Sequence, residues 1–225
     1  MFKNKLFVIL LLTISVFFTS CFEVIEEITM GKDGTGSMIL TVNFSQSKNR
    51  IAAIMLMDSI HGYKVPGKQE IQQEIDKTVA QLSRMPGISN VKSTADFTNF
   101  VADIRFSFKD VSDVNHLAKA LLEQYKVKST NIPTYNYNKE EARFTRDYSY
   151  SNDVKVQFNQ LKNRDKEIFS AAAYISILRF ETTITSYSNK LARISKNQQA
   201  IIQRLAIPDL INGQANISNQ VQLSK

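Results

Sequence analysis

The sequence is poor in the residues that build disulfide frameworks, metal sites and flexible linkers. Its 225 residues include one cysteine, two histidines, four prolines, seven glycines and no tryptophan. One cysteine excludes an intrachain disulfide and a cysteine-based zinc site, and two histidines put most histidine-rich metal sites out of reach. The low glycine and proline content excludes collagen-like and low-complexity architectures. With 43% hydrophobic and 22% charged residues, the composition is that of an ordinary globular protein.

The first twenty residues have the pattern of a cleavable secretory signal. Lys3 and Lys5 precede the apolar run 6–18, and the small residues Thr19 and Ser20 follow it. A positive start, a short apolar stretch and a small-residue end are typical of such signals. In a helix the run would reach about 20 Å, which is too short for a hydrocarbon core of about 30 Å. We therefore predict that residues 1–20 are removed and that 21–225 form the mature chain.

The single cysteine lies directly after this signal. Phe18-Thr19-Ser20-Cys21 resembles the lipobox of bacterial lipoproteins, in which the cysteine receives a diacylglyceryl thioether and becomes the mature N-terminus. Those proteins usually have leucine where Phe18 stands. The alternative interpretation is a small buried hydrophobic side chain. It is the weaker one, because the chain's one cysteine falls where a lipoprotein signal needs it. We predict that Cys21 is the lipidation site and that its acyl chains give stable anchoring.

The residues after Cys21 bear on the choice of membrane. Phe22 follows the cysteine, whereas inner-membrane retention in the best-known sorting system resembles aspartate at that place. Glu23, Glu26 and Glu27 supply three acids close to the anchor. This acidity either resembles, loosely, the surface-export signal of Bacteroidota lipoproteins or forms the solvent face of a strand. We predict a lipid-anchored protein of the bacterial cell envelope, in the outer membrane, and leave the leaflet open.

Hydrophobic periodicity predicts an α+β fold for the mature chain. Residues 22–30 and 38–44 alternate apolar and polar side chains around the glycine turn Lys32–Gly36, which predicts a hairpin next to the anchor. We expect one domain, with an antiparallel or mixed β-sheet and two to three helices packed on one face. Helices are predicted near 45–57, 68–85, 110–125, 154–163 and, as a single turn, 207–213, and further strands at 88–96, 100–108, on both sides of 138–142, and at 173–187, 200–207 and 215–223.

The sequence contains no convincing catalytic motif. His61 lies in Asp58-Ser59-Ile60-His61-Gly62, but nucleophilic catalysis requires groups that converge in space, and no G-x-S-x-G motif occurs. His116 belongs to a predicted helix, and the two histidines lack the spacing of a zinc site. Glu26 and Glu27 point to opposite faces of a strand and cannot form an acid/base pair. We predict that the protein is not an enzyme and has no catalytic residue, metal or cofactor.

The chain is basic. Its formal net charge of +7 becomes +5 once the two lysines of the signal are removed. A solvated surface accounts for this charge, and attraction to anionic lipid headgroups beside the anchor is the functional interpretation. Aromatic residues between Tyr135 and Tyr150 would suit nucleic-acid stacking, but an exported chain rarely meets nucleic acid, so we predict no such partner. The basic residues gather at Lys162, Arg164 and Lys166 and at Lys190, Arg193 and Lys196.

The chain resembles known families in short motifs. Phe18–Cys21, Lys32–Gly36, Phe180-Glu181 and Ile207–Gly213 resemble uncharacterised lipoproteins of Bacteroidota-type bacteria. The glycine-turn hairpin beside the cysteine is also similar to the mycobacterial LppM-type lipoprotein domain. That similarity implies interaction with lipid or glycolipid and transfers no functional residue.

Two main hypotheses for the function follow, with a hydrolase as a third. The first is a non-enzymatic interaction or assembly module, whose partners are the membrane lipid through acylated Cys21 and either anionic headgroups or envelope proteins. It predicts an exposed apolar patch. The alternative is a domain that binds lipid, glycolipid or an apolar ligand, which predicts an internal apolar pocket of about 300 Å³ or more. A hydrolase would need a cleft with perturbed ionisable groups around His61 or His116.

The lipid anchor can be tested by removing its acceptor. In Cys21→Ser the thiol that forms the thioether is absent, so we expect no acyl-lipid incorporation and release of the protein from the membrane fraction. Metabolic labelling with a fatty acid, followed by fractionation, measures both effects. Continued lipid labelling of the Cys21→Ser chain would show that the assignment is wrong.

Overall fold

The computed structural model describes residues 22–60, 62–124, 132–150 and 152–225. The predicted signal, 1–20, and the lipidation site Cys21 lie outside these residues. The helices are α1 (Lys48–Ile54), α2 (Lys68–Leu82), α3 (Asp113–Gln124), α4 (Asn152–Gln160), α5 (Asn163–Lys166) and α6 (Ile207–Ile211). The strands are β1 (Glu23–Met30), β2 (Gly36–Asn43), β3 (Ser59–Ile60), β4 (Tyr63–Lys64), β5 (Ile88–Asp96), β6 (Val101–Phe108), β7 (Thr134–Asn138), β8 (Arg143–Asp147), β9 (Ala173–Phe180), β10 (Ile184–Tyr187), β11 (Arg193–Ile194), β12 (Ala200–Ala206) and β13 (Asn219–Leu223).

The chain enters the fold through the predicted hairpin. Strands β1 and β2 pair antiparallel without a register shift, from Glu23 opposite Asn43 to Met30 opposite Gly36. Gly34 adopts a φ of 88° in the turn between them, a left-handed conformation that glycine adopts without steric cost. The Asp33 carboxylate accepts hydrogen bonds from the backbone N–H and the hydroxyl of Thr35. The prediction of a hairpin around the glycine turn Lys32–Gly36 is therefore confirmed.

Strand β1 lies at the centre of a mixed seven-stranded sheet with the order β11-β12-β9-β1-β2-β6-β5. It pairs antiparallel with β2 and parallel with β9, whose Ala173 lies opposite Glu23. The other pairs in this sheet are antiparallel. Helix α2 packs against the edge strand β5, and Leu82 at the end of this helix is fully buried. The predicted α+β class and mixed sheet are confirmed.

A second, four-stranded sheet, in the order β10-β13-β8-β7, was not predicted. The predicted single strand 173–187 is wrong, because β9 ends at Phe180 and β10 begins at Ile184 in the other sheet. The chain turns at Glu181, whose N–H donates to the carbonyl of Met30. Phe180 and Ile184 are both buried in one core, so the apolar pattern continues through the corner. The short β3–β4 hairpin was also missed, since two-residue strands leave no periodic signal.

The two sheets share one hydrophobic cluster, which forms where their inner faces meet. Alternate residues of the large sheet point into it, as period-two side-chain alternation requires. Helix α3 closes one side through Val114 and Leu117. In the described part of the chain, no helix is long and apolar enough to cross a lipid bilayer. The cluster includes Ile28, Met30, Met38, Phe106, Phe108, Leu178 and Phe180 from the large sheet and Phe144, Ile184, Val221 and Leu223 from the small one.

Gly36 is a position where the fold requires the absence of a side chain. A Cβ there would lie 2.2 Å from the carbonyl oxygen of Thr29 and 2.6 Å from the ring of Phe108. We expect Gly36→Ala to lower the free energy of unfolding by about 1–3 kcal/mol, because the backbone of the neighbouring strand must shift. Urea denaturation measures the change. Gly67→Ala is the control, since its Cβ would meet only Glu70, at 3.8 Å. Equal effects of the two substitutions would contradict the steric explanation.

Candidate functional site

A buried ion pair joins the two sheets. Glu26 lies on the inner face of β1, and Arg146 lies on the inner face of β8 in the small sheet. The guanidinium Nη1 of Arg146 is 2.7 Å from Oε1 of Glu26, and the two side chains are only 1% and 5% exposed. Charged side chains are rarely buried to this extent unless they are paired. The pair and its surroundings are therefore a candidate functional site.

Four neighbouring groups form hydrogen bonds with this pair. The hydroxyls of Tyr135 and Tyr174 donate to Oε2 of Glu26 at 2.9 and 2.7 Å. Arg146 donates from Nη1 to the hydroxyl of Ser176 at 2.7 Å and from Nε to the carbonyl of Ile217 at 2.9 Å. Each carboxylate oxygen thus has at least one donor, which offsets the cost of removing the charges from water.

Strand register brings these residues together. Glu26 lies opposite Ser176 in the β1–β9 pair, so both face inward from the large sheet. Arg146 lies opposite Tyr135 in the β7–β8 pair, so both face inward from the small sheet. Each sheet therefore contributes one charged residue and a hydroxyl neighbour directly beside it. Tyr174, two residues before Ser176 on β9, completes the group.

The electrostatic environment of the network keeps Tyr135 and Tyr174 protonated and Arg146 charged. Burial raises the pKa of the Tyr135 hydroxyl well above its ordinary value, and the Glu26 carboxylate raises it further. Burial and the same carboxylate raise the pKa of Tyr174. Burial is the largest single influence on Arg146 and lowers its pKa, but the Glu26 carboxylate together with Tyr174 and Tyr135 outweighs it, so the net pKa is raised. The two phenols therefore stay neutral donors and the guanidinium stays charged at any physiological pH.

A polar layer continues from the ion pair along the inner surfaces. Asn219, which lies opposite Arg146 in the β8–β13 pair, accepts hydrogen bonds from the N–H groups of Ser188 and Asn189. Gln203 on β12 donates to the carbonyl of Asn216 at 2.9 Å. Both side chains are buried. Because these polar groups are hydrogen-bonded, the layer fits the positioning of the sheets better than the binding of a substrate.

Two grooves lie away from this network, and neither is lined by its residues. The first is apolar, has a volume of about 140 Å³ and lies between α1 and the ends of β2 and β6. The second, of about 460 Å³, is open and lies along α2, where Ile71 and Ile75 face Ile104 of β6 beside several polar side chains. Ile71 borders both grooves. Residues that line the first include Val42, Phe44, Ile51, Met55, Phe97 and Phe100.

The outer face of the seven-stranded sheet carries a group of isoleucines that we call the isoleucine patch: Ile25, Ile39, Ile175, Ile177 and Ile202. Register places Ile25 beside Ile175, and Ile177 beside Ile202. None of the five is fully buried, and Ile202 is 43% exposed. Ion pairs lie among these side chains: Arg204, opposite Ile175, is 2.8 Å from Glu23, and Arg179 is 3.2 Å from Glu27. Glu27 lies between Ile39 and Ile177, so it separates Ile39 from the other four isoleucines.

The residues singled out in the sequence are not brought together. His116 is exposed on α3, and His61 lies outside the described residues, as Cys21 does. Glu26 and Glu27 do point to opposite faces. The interpretation of Glu26 as part of a solvent face is wrong, because its side chain pairs with Arg146 in the interior. Within the described ranges, no group of three or more histidine, cysteine, aspartate and glutamate side chains is placed to hold a metal.

The basic residues of the two clusters lie on different elements of the structure. Lys162 is exposed beside α5, while Lys190, Arg193 and Lys196 are exposed around β11. The aromatic residues considered for stacking are divided, with Tyr135 buried and Tyr150 exposed. The buried ring of Tyr135 is therefore not exposed for stacking on a base.

Sequence reasoning missed Arg146, Tyr135, Tyr174 and Ser176 as a group. One signal was present for each charged member: Glu26 shares the strand parity of Ile28 and Met30, and Arg146 shares that of Phe144. A charge at an inward position requires a partner of opposite sign. The pairing itself, over 120 positions of the chain, has no local signature.

Comparisons with known proteins give a likeness of fold only. No protein-family model matches the sequence, and no curated protein matches it. The structure is similar to the NMR structure of the folded domain of the LppM protein of Mycobacterium tuberculosis, with a TM-score of 0.44 and 13% identity. The similarity covers 92% of this chain and 91% of that chain. A likeness of this size carries no functional argument, and the resemblance to LppM-type domains is found only as a weak similarity of fold.

A double-mutant cycle on the ion pair separates its contribution to stability. Arg146→Met leaves the Glu26 carboxylate buried without its counter-charge, so we expect a loss of about 3–5 kcal/mol in the free energy of unfolding. Combining it with Glu26→Gln should restore part of that loss, because no unpaired charge remains. Denaturant titration of the single and double variants measures the coupling.

The control for the cycle is Arg204→Met, which removes the half-exposed partner of Glu23. Exposed ion pairs contribute about 0–1 kcal/mol, so a small change is expected there. Losses of similar size for Arg146→Met and Arg204→Met would contradict the importance of the buried pair.

Proposed function

We propose that the protein is a lipid-anchored protein of the bacterial outer membrane, held through Cys21, that acts as a non-enzymatic interaction or assembly module. Its partner is an envelope protein that docks on the outer face of the seven-stranded sheet. The observation that carries the proposal is the isoleucine patch. A sheet normally buries its apolar side chains against another layer, and this face presents five isoleucines without full burial.

The composition of the face supports a protein partner. Its centre is apolar, with Ile25, Ile175 and Ile177 on the adjacent strands β1 and β9. Its surroundings are charged, with the Glu23–Arg204 and Glu27–Arg179 pairs beside the isoleucines. An apolar centre with a polar rim is the usual anatomy of a protein–protein interface.

The non-enzymatic part of the proposal draws on the buried network. The ionisable groups with strongly perturbed pKa values, Tyr135, Tyr174 and Arg146, are engaged with Glu26 in the interior. Perturbed groups that serve catalysis are instead expected in a cleft that a substrate can enter. A network of satisfied buried groups is typical of a structural role.

The second candidate function is the binding of a lipid or another apolar ligand. It is favoured by the apolar groove beside α1, whose walls include Phe44, Ile51 and Phe100. The volume of about 140 Å³ is below the ~300 Å³ expected of a ligand pocket. The interaction module therefore comes first.

Photo-crosslinking in the native envelope tests the docking surface. A benzoylphenylalanine at Ile202 should form a discrete adduct with an envelope protein, because this side chain is exposed within the isoleucine patch. The same probe at Leu191, which is exposed in the loop between β10 and β11, is the matched control. We expect the adduct at Ile202 to disappear when Ile177→Glu places a charge in the patch.

The outcome that contradicts the proposal is equally specific. An identical adduct from Ile202 and Leu191, or an adduct at Ile202 that survives Ile177→Glu, would show that the patch does not select the partner. Circular dichroism and membrane fractionation of the Ile177→Glu chain establish that it is folded and anchored.

A further inference from the structure

One end of the seven-stranded sheet differs from the rest of the surface. We call it the entry end; it is the end where Glu23 pairs with both Asn43 and Ala173. The described chain begins here, at Phe22. Two long segments leave from or return to the same end, namely 44–67 after β2 and 148–172 before β9.

The two most exposed of the large apolar side chains described lie on the first of these segments. Leu56 is 89% exposed and Tyr63 is 65% exposed, and Met57 beside Leu56 is also exposed. Val156 in α4 and Ile168 in the turn before β9 add two more exposed apolar side chains from the second segment. Exposing apolar side chains to water is unfavourable, and contiguous exposed apolar groups mark interaction surfaces.

Aromatic packing ties both segments to the start of the chain. The ring of Phe22 lies 5.4 Å from that of Phe44 and 5.9 Å from that of Phe169. Phe169 in turn contacts Phe158 of α4 at 5.7 Å. The exposed apolar side chains therefore belong to two segments that each pack an aromatic ring against Phe22, the residue next to Cys21.

The charge of the first segment suits an anionic partner. Residues 44–67 contain three basic side chains, Lys48, Arg50 and Lys64, and one acid, Asp58. Lys64 is paired with Glu70, while Lys48 donates to the neutral side chain of Asn99. Apolar side chains flanked by basic ones are characteristic of surfaces that lie in the interface of an anionic bilayer.

The opposite end of the sheet lacks this combination. The turns at 31–35 and 139–142 meet there, since the Tyr137 hydroxyl donates to the carbonyl of Lys32. Among the described residues of these turns, no large apolar side chain is exposed. The contrast gives the molecule two distinct ends.

We propose that the entry end is the membrane face of the protein, with Leu56, Met57 and Tyr63 inserted at the headgroup level of an anionic phospholipid bilayer. This inference rests on the lipid anchor at Cys21 in the proposed function and adds an orientation to it. An anchor that directly precedes Phe22 holds this end against the bilayer, so a lipid surface is the occupant within reach. The isoleucine patch then stands to one side of the anchor, available to a partner.

The absence of tryptophan makes the orientation measurable. In protein expressed from the whole sequence and extracted from the bacterial membrane, Leu56→Trp introduces a single indole at the proposed contact, and Glu140→Trp places one in an exposed turn at the opposite end. Both chains are reconstituted in vesicles of phosphatidylethanolamine and phosphatidylglycerol with brominated acyl chains. We expect most of the Leu56→Trp emission to be quenched and shifted to shorter wavelength, while the Glu140→Trp emission is unchanged.

The same samples separate this inference from the anchor. Mass spectrometry reports the acyl group on each protein. An acyl mass without quenching of Leu56→Trp would overturn the membrane face and leave the anchor intact. Quenching without an acyl mass would support the membrane face and overturn the anchor. Replacing phosphatidylglycerol by phosphatidylcholine should reduce the quenching, and unchanged quenching would overturn the part assigned to the basic residues.

Discussion

The ion pair between Glu26 and Arg146 is the contact on which the placement of the two sheets depends. Hydrophobic packing between sheets is tolerant of small displacements, because apolar contacts have no direction. A buried charge pair is not, since a shift of one residue would carry a charged group away from its counter-charge. The hydroxyls of Tyr135 and Tyr174 narrow the geometry further, because both must reach the same carboxylate oxygen. The pair therefore fixes the relative position of two sheets that are otherwise held together by nonpolar contacts.

The part of the fold that is local in sequence could be predicted. The β1–β2 hairpin, helix α2 and the strands β5 and β6 each have a recognisable apolar pattern, and glycine or proline residues mark the hairpin turn, both ends of α2 and the start of β5. The division of the strands between two sheets could not be predicted. The apolar pattern runs through Phe180 and Ile184, although the chain passes from one sheet to the other between them. The alternation of apolar and polar residues along a strand indicates which side chains point inward, but it does not indicate which sheet or helix packs against them.

The candidate sites show the same limit. Glu26 was noticed as one of three acids, and strand alternation separated it from Glu27, but its counter-charge comes from a strand 120 positions later. The isoleucine patch is also assembled from distant strands, with Ile202 beside Ile177 only because β12 pairs with β9. By contrast, the proposed lipidation signal lies in four consecutive residues, so the sequence alone is enough to predict it.

The central position of β1 has a mechanical consequence. This strand begins one residue after Phe22 and is hydrogen-bonded along its full length to β2 on one side and β9 on the other. Ladder hydrogen bonds run across the strand direction. A pull on the chain start along β1 would therefore load both ladders in shear, so that many bonds share the force, instead of peeling an edge strand one bond at a time. With the lipid anchor and the docked partner that we propose, the domain would resist tension along the direction of β1.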